Sequence, residues 1–458
     1  MNLALIDIFI IAIYFIFILF LGFKAKSKSL GSDDESYLLA SRRLTLPFFV
    51  ASIVATWYGN ILGVGEFIYS SGLVGWICFG VPYYISAVIF ALFFADKIRN
   101  LGFKTLPEQI AHKFGDNAGN IASIIILIIT LPAVYVLMLG VIFQMFTGAS
   151  LVLSIVCVSI ISLIYLFWGG FKADIWTNTA QFIIMYLGFF ILLFFSIKQF
   201  GSVGEMLGKL PKDHLTITGN KSWQYVLGWF IISLQTFVDP SFHQRSAAVK
   251  SPKIARQGLL LAVLCWIIFD LLTLFTGFYA RANMIGIEPL KAYPELGNAV
   301  LPPFYKGIFV IAMLSVIMST LDSYAFISSA TIGNDILAKI FKKQRSIKFY
   351  TQIGLVITSV FSIALALLIP SAIDLIYKTA SIAIPGLIVP TILTYTKKYT
   401  IEPNKIVWVF LIPSLIALLW IIIPPIFKIN NFFRNIEPMI PAIIIAFIIG
   451  AIFINKSN

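Results

Sequence analysis

Adjacent hydroxyls and a carboxylate inside an apolar stretch, Met318-Ser319-Thr320-Leu321-Asp322-Ser323, are the residues of this chain whose types most directly suggest chemistry. Hydroxyls in membrane helices commonly bond back to carbonyls of their own helix. Two consecutive ones cannot share one helix face, however, and with Asp322 they form an oxygen-rich patch suited to a hard monovalent cation. Such an ion takes carbonyl, hydroxyl and carboxylate oxygens rather than nitrogen or sulfur. A second constellation is Gly59, Asn60, Gly63, Gly65 and Glu66, all within the apolar run Leu46 to Ser70. Glycines there serve either close helix packing or a local unwinding. Irregular backbone at membrane depth survives only where it lines a cavity or a binding site, and Asn60 and Glu66 favour the second reading. Ionisable groups in apolar runs are few: Glu66, Asp270, Asp322, Asp374 and Lys378. Each costs roughly 2.5–3.5 kcal/mol on insertion scales, so each needs a partner or a wet route. Asp374 and Lys378, four apart, either pair on one helix face or leave Lys378 to contact a solute. Glu66 and Asp270 are either structural carboxyls or contacts for a cation or substrate. Asp174 and Asp239 fall at cytoplasmic helix ends, where water is expected.

The elements that must position these groups are membrane spans. The 458 residues are 59% hydrophobic and 12% charged, against about 45–50% and about 25% in a soluble domain. At about 20 apolar residues per crossing, the sequence predicts thirteen helices. They lie near 4–23, 46–70, 73–95, 119–146, 151–169, 175–197, 223–240, 257–280, 306–330, 350–369, 372–396, 405–424 and 438–455. The first lacks a basic start and a small-residue cleavage site and reads as retained. Placing the N-terminus outside puts 23 basic residues in the inner loops and C-terminus and 9 in the outer loops, the asymmetry expected of a multi-pass inner (plasma) membrane protein with a cytoplasmic C-terminus. The net charge of +13 is thus explained by topology, and no nucleic-acid partner is expected. Cys78, Cys157 and Cys265 have neither CxxC spacing nor histidine clusters beside them, which argues against disulfides and zinc.

Several segments, in order, resemble the sodium:solute symporter family, which includes sodium/proline, sodium/glucose and sodium/sialic-acid transporters. They are Tyr37-Leu38-Leu39-Ala40-Ser41-Arg42-Arg43-Leu44, Val54-Ala55-Thr56-Trp57-Tyr58 with Tyr69-Ser70-Ser71-Gly72, Trp168-Gly169-Gly170-Phe171-Lys172-Ala173 with Ile175-Trp176-Thr177 and Gln181, Asp239-Pro240 with Gln244-Arg245 and Ala255-Arg256, and the 318–323 motif. The resemblance implies an all-α, LeuT-like core of two inverted five-helix repeats, 46–197 and 223–396. Residues 1–45 supply an extra helix and a cytoplasmic loop before it, and 397–458 two helices after it. It also implies a Na+ site made by the Ala55, Tyr58 and Val316 carbonyls with the Ser319 and Thr320 hydroxyls.

The sequence departs from the family pattern in two places. The Trp-Thr-Asp-x-x-Gln motif reads Trp176-Thr177-Asn178-Thr179-Ala180-Gln181, so a carboxylate that some members use for a second sodium is here an amide. Asp322 is the expected replacement charge, with Asn178 giving a carbonyl oxygen. The stretch Ala55 to Gly63 is also about two residues shorter than the pattern.

The function implied is a sodium-coupled secondary active symporter that imports a small organic solute by alternating access, with Na+ as coupling ion and no cofactor. The solute is expected near the bilayer midplane, against Asn60 to Glu66 and faced by Tyr83, Tyr84, Gln144, Gln235 and Lys378. Glu66 and Lys378 together suit a zwitterion, Lys378 alone suits a carboxylate, and a sugar needs neither. Proton coupling through Glu66 or Asp270 is the nearer alternative. An intramembrane enzyme on a lipid-linked substrate is the further one, for which the usual paired acidic motifs do not appear.

Overall fold

A computed structural model describes residues 3–26, 34–342, 344–368, 372–427 and 436–456, without the side chains of 163, 372–377 and 424–427. Asp374 therefore lies, as a side chain, outside the described residues. A helix occupies each of the thirteen apolar runs. By length and composition, eight described helices could cross a membrane, or nine if the bent pair Leu46–Trp57 and Ile61–Ser71 is one span. The shorter apolar helices Leu151–Ser162, Lys378–Thr394 and Met439–Phe453 fall on three further runs.

The distribution of polarity is inverted relative to a soluble protein. On the helix Leu151–Phe200, Ile183, Leu187, Phe190 and Phe194 are exposed while Asp174, Thr177, Asn178 and Gln181 are buried. Apolar side chains facing outward along a whole helix are stable only in lipid, and polar ones facing inward must then satisfy one another. At the centre stands Tyr305–Ala330, buried along most of its length. It packs against Leu5–Lys26, Leu46–Trp57, Leu151–Phe200 and Ile347–Leu368.

Three interruptions shape this core. The first is the 58° bend between Leu46–Trp57 and Ile61–Ser71. A side chain at Gly59 would force its neighbours to shift, since its Cβ would fall 2.5 Å from the Tyr135 ring and 2.6 Å from the Thr320 side chain. The second is Gly170 (φ 59°, ψ −153°), which kinks Leu151–Phe200 in a backbone region open to glycine. The third follows Trp223–Ile232, where a 3₁₀ turn, Ser233–Phe237, leads into the short helix Pro240–Ala248 capped by Asp239.

The loops group by contact. Leu44 bridges Val249, Arg42 donates to the Gly102 and Ala247 carbonyls, Arg99 to Val249, and Lys113 to Thr396. Tyr399–Ile401 then pairs antiparallel with Ile454–Lys456, holding the C-terminus in the same group. A second group joins Asp7 to Phe304 and Gly307, His214 to Tyr69, Tyr69 to Met284 and Lys209 to Asn283. These are the two sets of loops that the charge count assigns to opposite sides.

Candidate cation and solute site

The first break and the central helix meet through hydroxyls. Ser319 Oγ donates to the Ala55 carbonyl at 2.8 Å and lies equally close to that of Val316. Thr320 Oγ1 donates to the Thr56 carbonyl at 2.8 Å and lies 3.4 Å from that of Val316. Tyr58 ends the first half-helix, so its carbonyl lies in the break, while its phenol donates to the Trp266 carbonyl at 3.0 Å. Of the expected sodium ligands, Ala55, Val316, Ser319 and Thr320 thus form one buried set of uncharged oxygens beside Tyr58. The short approach is allowed by Gly59, against which Thr320 packs.

One turn further along, Ser323 enters a charged cluster. Asp174 and Arg245 form an ion pair at 3.1 Å with both side chains fully buried. Arg245 Nη2 also donates to Thr56 Oγ1 at 2.8 Å and to Ser323 Oγ at 2.7 Å, and Nη1 to Ser241 Oγ at 3.3 Å. Ser323 donates to Asp174 at 2.6 Å. Asn178 Nδ2 lies 3.1 Å from Asp174, 3.0 Å from Ser323 and 3.3 Å from Thr56.

This arrangement corrects two expectations. Asp174 and Asp239 are not at wet helix ends. Asp174 is sealed in the pair with Arg245, and Asp239 accepts the Ser241 amide and the Tyr324 hydroxyl inside the bundle. The expected pairing of Asp322 with Asn178 is also absent from the described hydrogen bonds. Successive helical residues point about 100° apart, and Asp322 turns to another side, where its Oδ2 accepts the Tyr165 hydroxyl and its Oδ1 is buried without a hydrogen-bond partner among the described residues.

The candidate solute residues separate likewise. Trp57, at the break, packs its ring 4.9 Å from Tyr83, 5.4 Å from Trp266 and 5.7 Å from Phe242. Trp266 Nε1 in this aromatic wall, Asn60 Oδ1 three residues past Trp57, and Thr236 Oγ1 are buried without hydrogen-bond partners among the described residues. Gln235 lies in the 3₁₀ turn of the third interruption, next to Thr236. Glu66 is only partly buried, on the half-helix that packs against Pro289–Lys291. Gln144 is exposed in the last turn of Ala133–Thr147, and Lys378 is exposed on Ala372–Thr394. Asp270 has a partner after all, accepting from Tyr84, whose hydroxyl takes the Trp76 indole N–H at 3.1 Å.

Arg245 was missed as a site residue because it counted among the basic residues of an inner loop. The available signal was the Asp239-Pro240 to Gln244-Arg245 segment, which places a cation one turn inside the third interruption.

The family model described as "Sodium:solute symporter family" matches residues 37–403. The high-affinity proline transporter of Bacillus subtilis is 25% identical over 373 residues, 76% of this chain and 78% of that protein. High-affinity choline transporter 1 of Drosophila melanogaster is 24% identical over 393 residues, 79% of this chain and 62% of that one. The chain likewise spans only 58% of sodium/glucose cotransporter 4 of Danio rerio. Among solved structures, a substrate-bound, outward-open Na+-coupled sialic acid symporter superposes with a TM-score of 0.80 at 15% identity, over 100% of both chains. The nucleobase-cation-symport-1 transporter Mhp1 in a closed conformation superposes with 0.58 at 15% identity, over 92% of this chain and 97% of that one.

Proposed function

Because the chain belongs to the sodium:solute symporter family and has an all-α, LeuT-like fold, we propose that it is a sodium-coupled secondary active symporter that takes up a small organic solute by alternating access. Its relatives carry the names of transporters, not enzymes.

The observation that carries this reading is the pair of 2.8 Å bonds from Ser319 and Thr320 to the carbonyls before the break. A hydroxyl has acceptor lone pairs besides its proton. When Na+ enters, each O–H turns away. The Ala55, Tyr58 and Val316 carbonyls and the two hydroxyls then present five uncharged oxygens. Coordination from both helices favours the state in which they are juxtaposed, and an ion shifts a conformational equilibrium only through such differential affinity.

The solute lies beside the ion, against Asn60, Tyr83 and Gln235 and the Trp57 and Trp266 rings. The orphaned Asn60 oxygen and Trp266 indole N–H support this, since a buried polar group without a partner is costly and a polar solute would supply one. Glu66, partly buried on the half-helix after the break, and Gln144 and Lys378, both exposed, are further candidates for solute contact. The two repeats are 46–197 and 223–396, each opening on a broken helix. The N-terminus faces outside and the C-terminus the cytoplasm of the plasma membrane, as supported by the gathering of the basic loops in one contact group.

The test is solute uptake into proteoliposomes carrying the Ser319→Ala/Thr320→Ala variant, after a thermal-shift screen of amino acids, sugars and carboxylates for a solute that stabilises only with Na+. Sodium-driven accumulation is expected to disappear. Uptake with unchanged Na+ dependence defeats the proposal, and equal uptake on a pH gradient without Na+ replaces the sodium with a proton.

A further inference from the structure

We infer that the guanidinium of Arg245 is a resident cation in the second oxygen cluster of the core, so that the protein couples transport to a single Na+. This rests on the sodium-coupled reading above and adds the number of ions.

The cluster around Arg245 has the donor types of a cation site. Thr56 Oγ1, Ser323 Oγ and Asp174 Oδ2 converge from three helices on one point, at 2.8, 2.7 and 3.1 Å, and the atom at that point is Nη2. A metal ion there would need the same lone pairs. Those lone pairs are further taken by the Asn178 amide, whose Nδ2 faces all three residues while its Oδ1 is buried without a partner among the described residues. Both neighbouring groups therefore present N–H bonds to the cluster, and N–H bonds repel a cation.

The charges agree. The carboxylate expected at 178 is an amide, and the carboxylate appears one turn earlier at Asp174, on the same helix face, where it is neutralised by Arg245. Asp322, the other acid of the motif, faces Tyr165. A Na+ in this cluster would meet the full positive charge of Arg245 at contact distance with one carboxylate to share. The Phe171 ring, 5.7 Å from the guanidinium carbon, further holds the arginine in place by a cation–π contact. Around Ser319 and Thr320 the hydrogen-bond partners are all uncharged, which leaves that cluster able to take an ion.

The test needs Na+ alone. Equilibrium binding of 22Na+ to the purified full chain, in N-methylglucamine buffer, is expected to saturate at one ion per chain, and to stay at one in Ser323→Ala, which keeps the ion pair. Arg245→Ala frees the Asp174 carboxylate and the two hydroxyls and is expected to raise the count to two, with Asp174→Asn/Arg245→Ala returning it to one. Two ions in the wild type overturn the inference whatever the Ser323→Ala count, and so does an Arg245→Ala protein that still binds one. If Arg245→Ala fails to fold, the wild-type and Ser323→Ala counts decide by themselves. No Na+ bound by the wild type overturns the sodium-coupled reading itself, a different failure.

Discussion

Two oxygen clusters lie one helical turn apart on Tyr305–Ala330, and they differ in a single respect that decides what each can do. The Ser319 and Thr320 cluster closes the gap to the first break with uncharged groups alone. The Ser323 cluster closes it with a guanidinium and a carboxylate. Uncharged oxygens release one another at little cost, because a net intramolecular hydrogen bond is worth only about 0.5–1.5 kcal/mol. A buried ion pair does not, because removing either charge strands the other in a low dielectric. On the proposed reading, the first crossing opens and closes with an ion and the second stays shut. Hydroxyl and carbonyl content, the property visible in the motif, is shared by both; the arginine supplied by another helix separates them.

The largest effect that tests this contrast is on the shut crossing. Asp174→Asn leaves the buried Arg245 without its ion-pair partner, a loss of about 3–5 kcal/mol. Its melting temperature in detergent is expected to fall steeply, whether or not Na+ is present. Asp174→Asn/Arg245→Gln removes both charges and is expected to recover most of the loss, since contacting residues are not additive. If the single variant melts like the wild type, the pair is no lock and the contrast between the clusters dissolves.

A smaller effect belongs to the hinge of the opening crossing. Gly59→Ala forces a methyl group within 2.6 Å of Thr320 and 2.5 Å of Tyr135, and overpacking of this kind costs about 1–3 kcal/mol. The penalty is expected in two readouts, a lower melting temperature and a reduced stabilisation by Na+, because the methyl pushes Thr320 off the Thr56 carbonyl. A variant that loses stability while keeping the full Na+ response separates the hinge from the ion site.

The contrast also marks what was legible in the sequence. Apolar length placed the helices, because in lipid the length of an apolar run is itself the structural constraint. The break was legible because Gly59 and Asn60 are poor choices inside a span unless close approach or irregular backbone is needed. Facing was not. Residues 318–323 read as one patch, yet the 100° step between neighbours sends Ser319 and Thr320 to the break, Ser323 to Arg245 and Asp322 to Tyr165. The facing of Gln144, exposed in the last turn of its helix, was equally hidden, since a glutamine in an apolar run carries no mark of the direction it points. Asp174 looked wet because it stands near Lys172 and a basic loop. Its partner, 71 residues away in sequence, is brought to it only by the third interruption of the core.

The smallest effect sharpens the neutral cluster itself. Thr320→Ser keeps the hydroxyl that binds the Thr56 carbonyl and deletes only the methyl group. If the hydroxyl oxygen is what the ion uses, the Na+ concentration for half-maximal stabilisation is expected to move by less than about threefold, within ~0.6 kcal/mol by the relation between free energy and affinity. The lost packing should instead appear as a slightly lower melting temperature, since a buried methyl contributes about 0.8 kcal/mol. Thr320→Val, which keeps the shape and removes the oxygen, should show the reverse: an unchanged or higher melting temperature with a Na+ response weakened tenfold or more. A serine variant as impaired towards Na+ as the valine one would mean that Thr320 acts through the packing of its methyl group, and that Ser319 alone supplies the hydroxyl ligand.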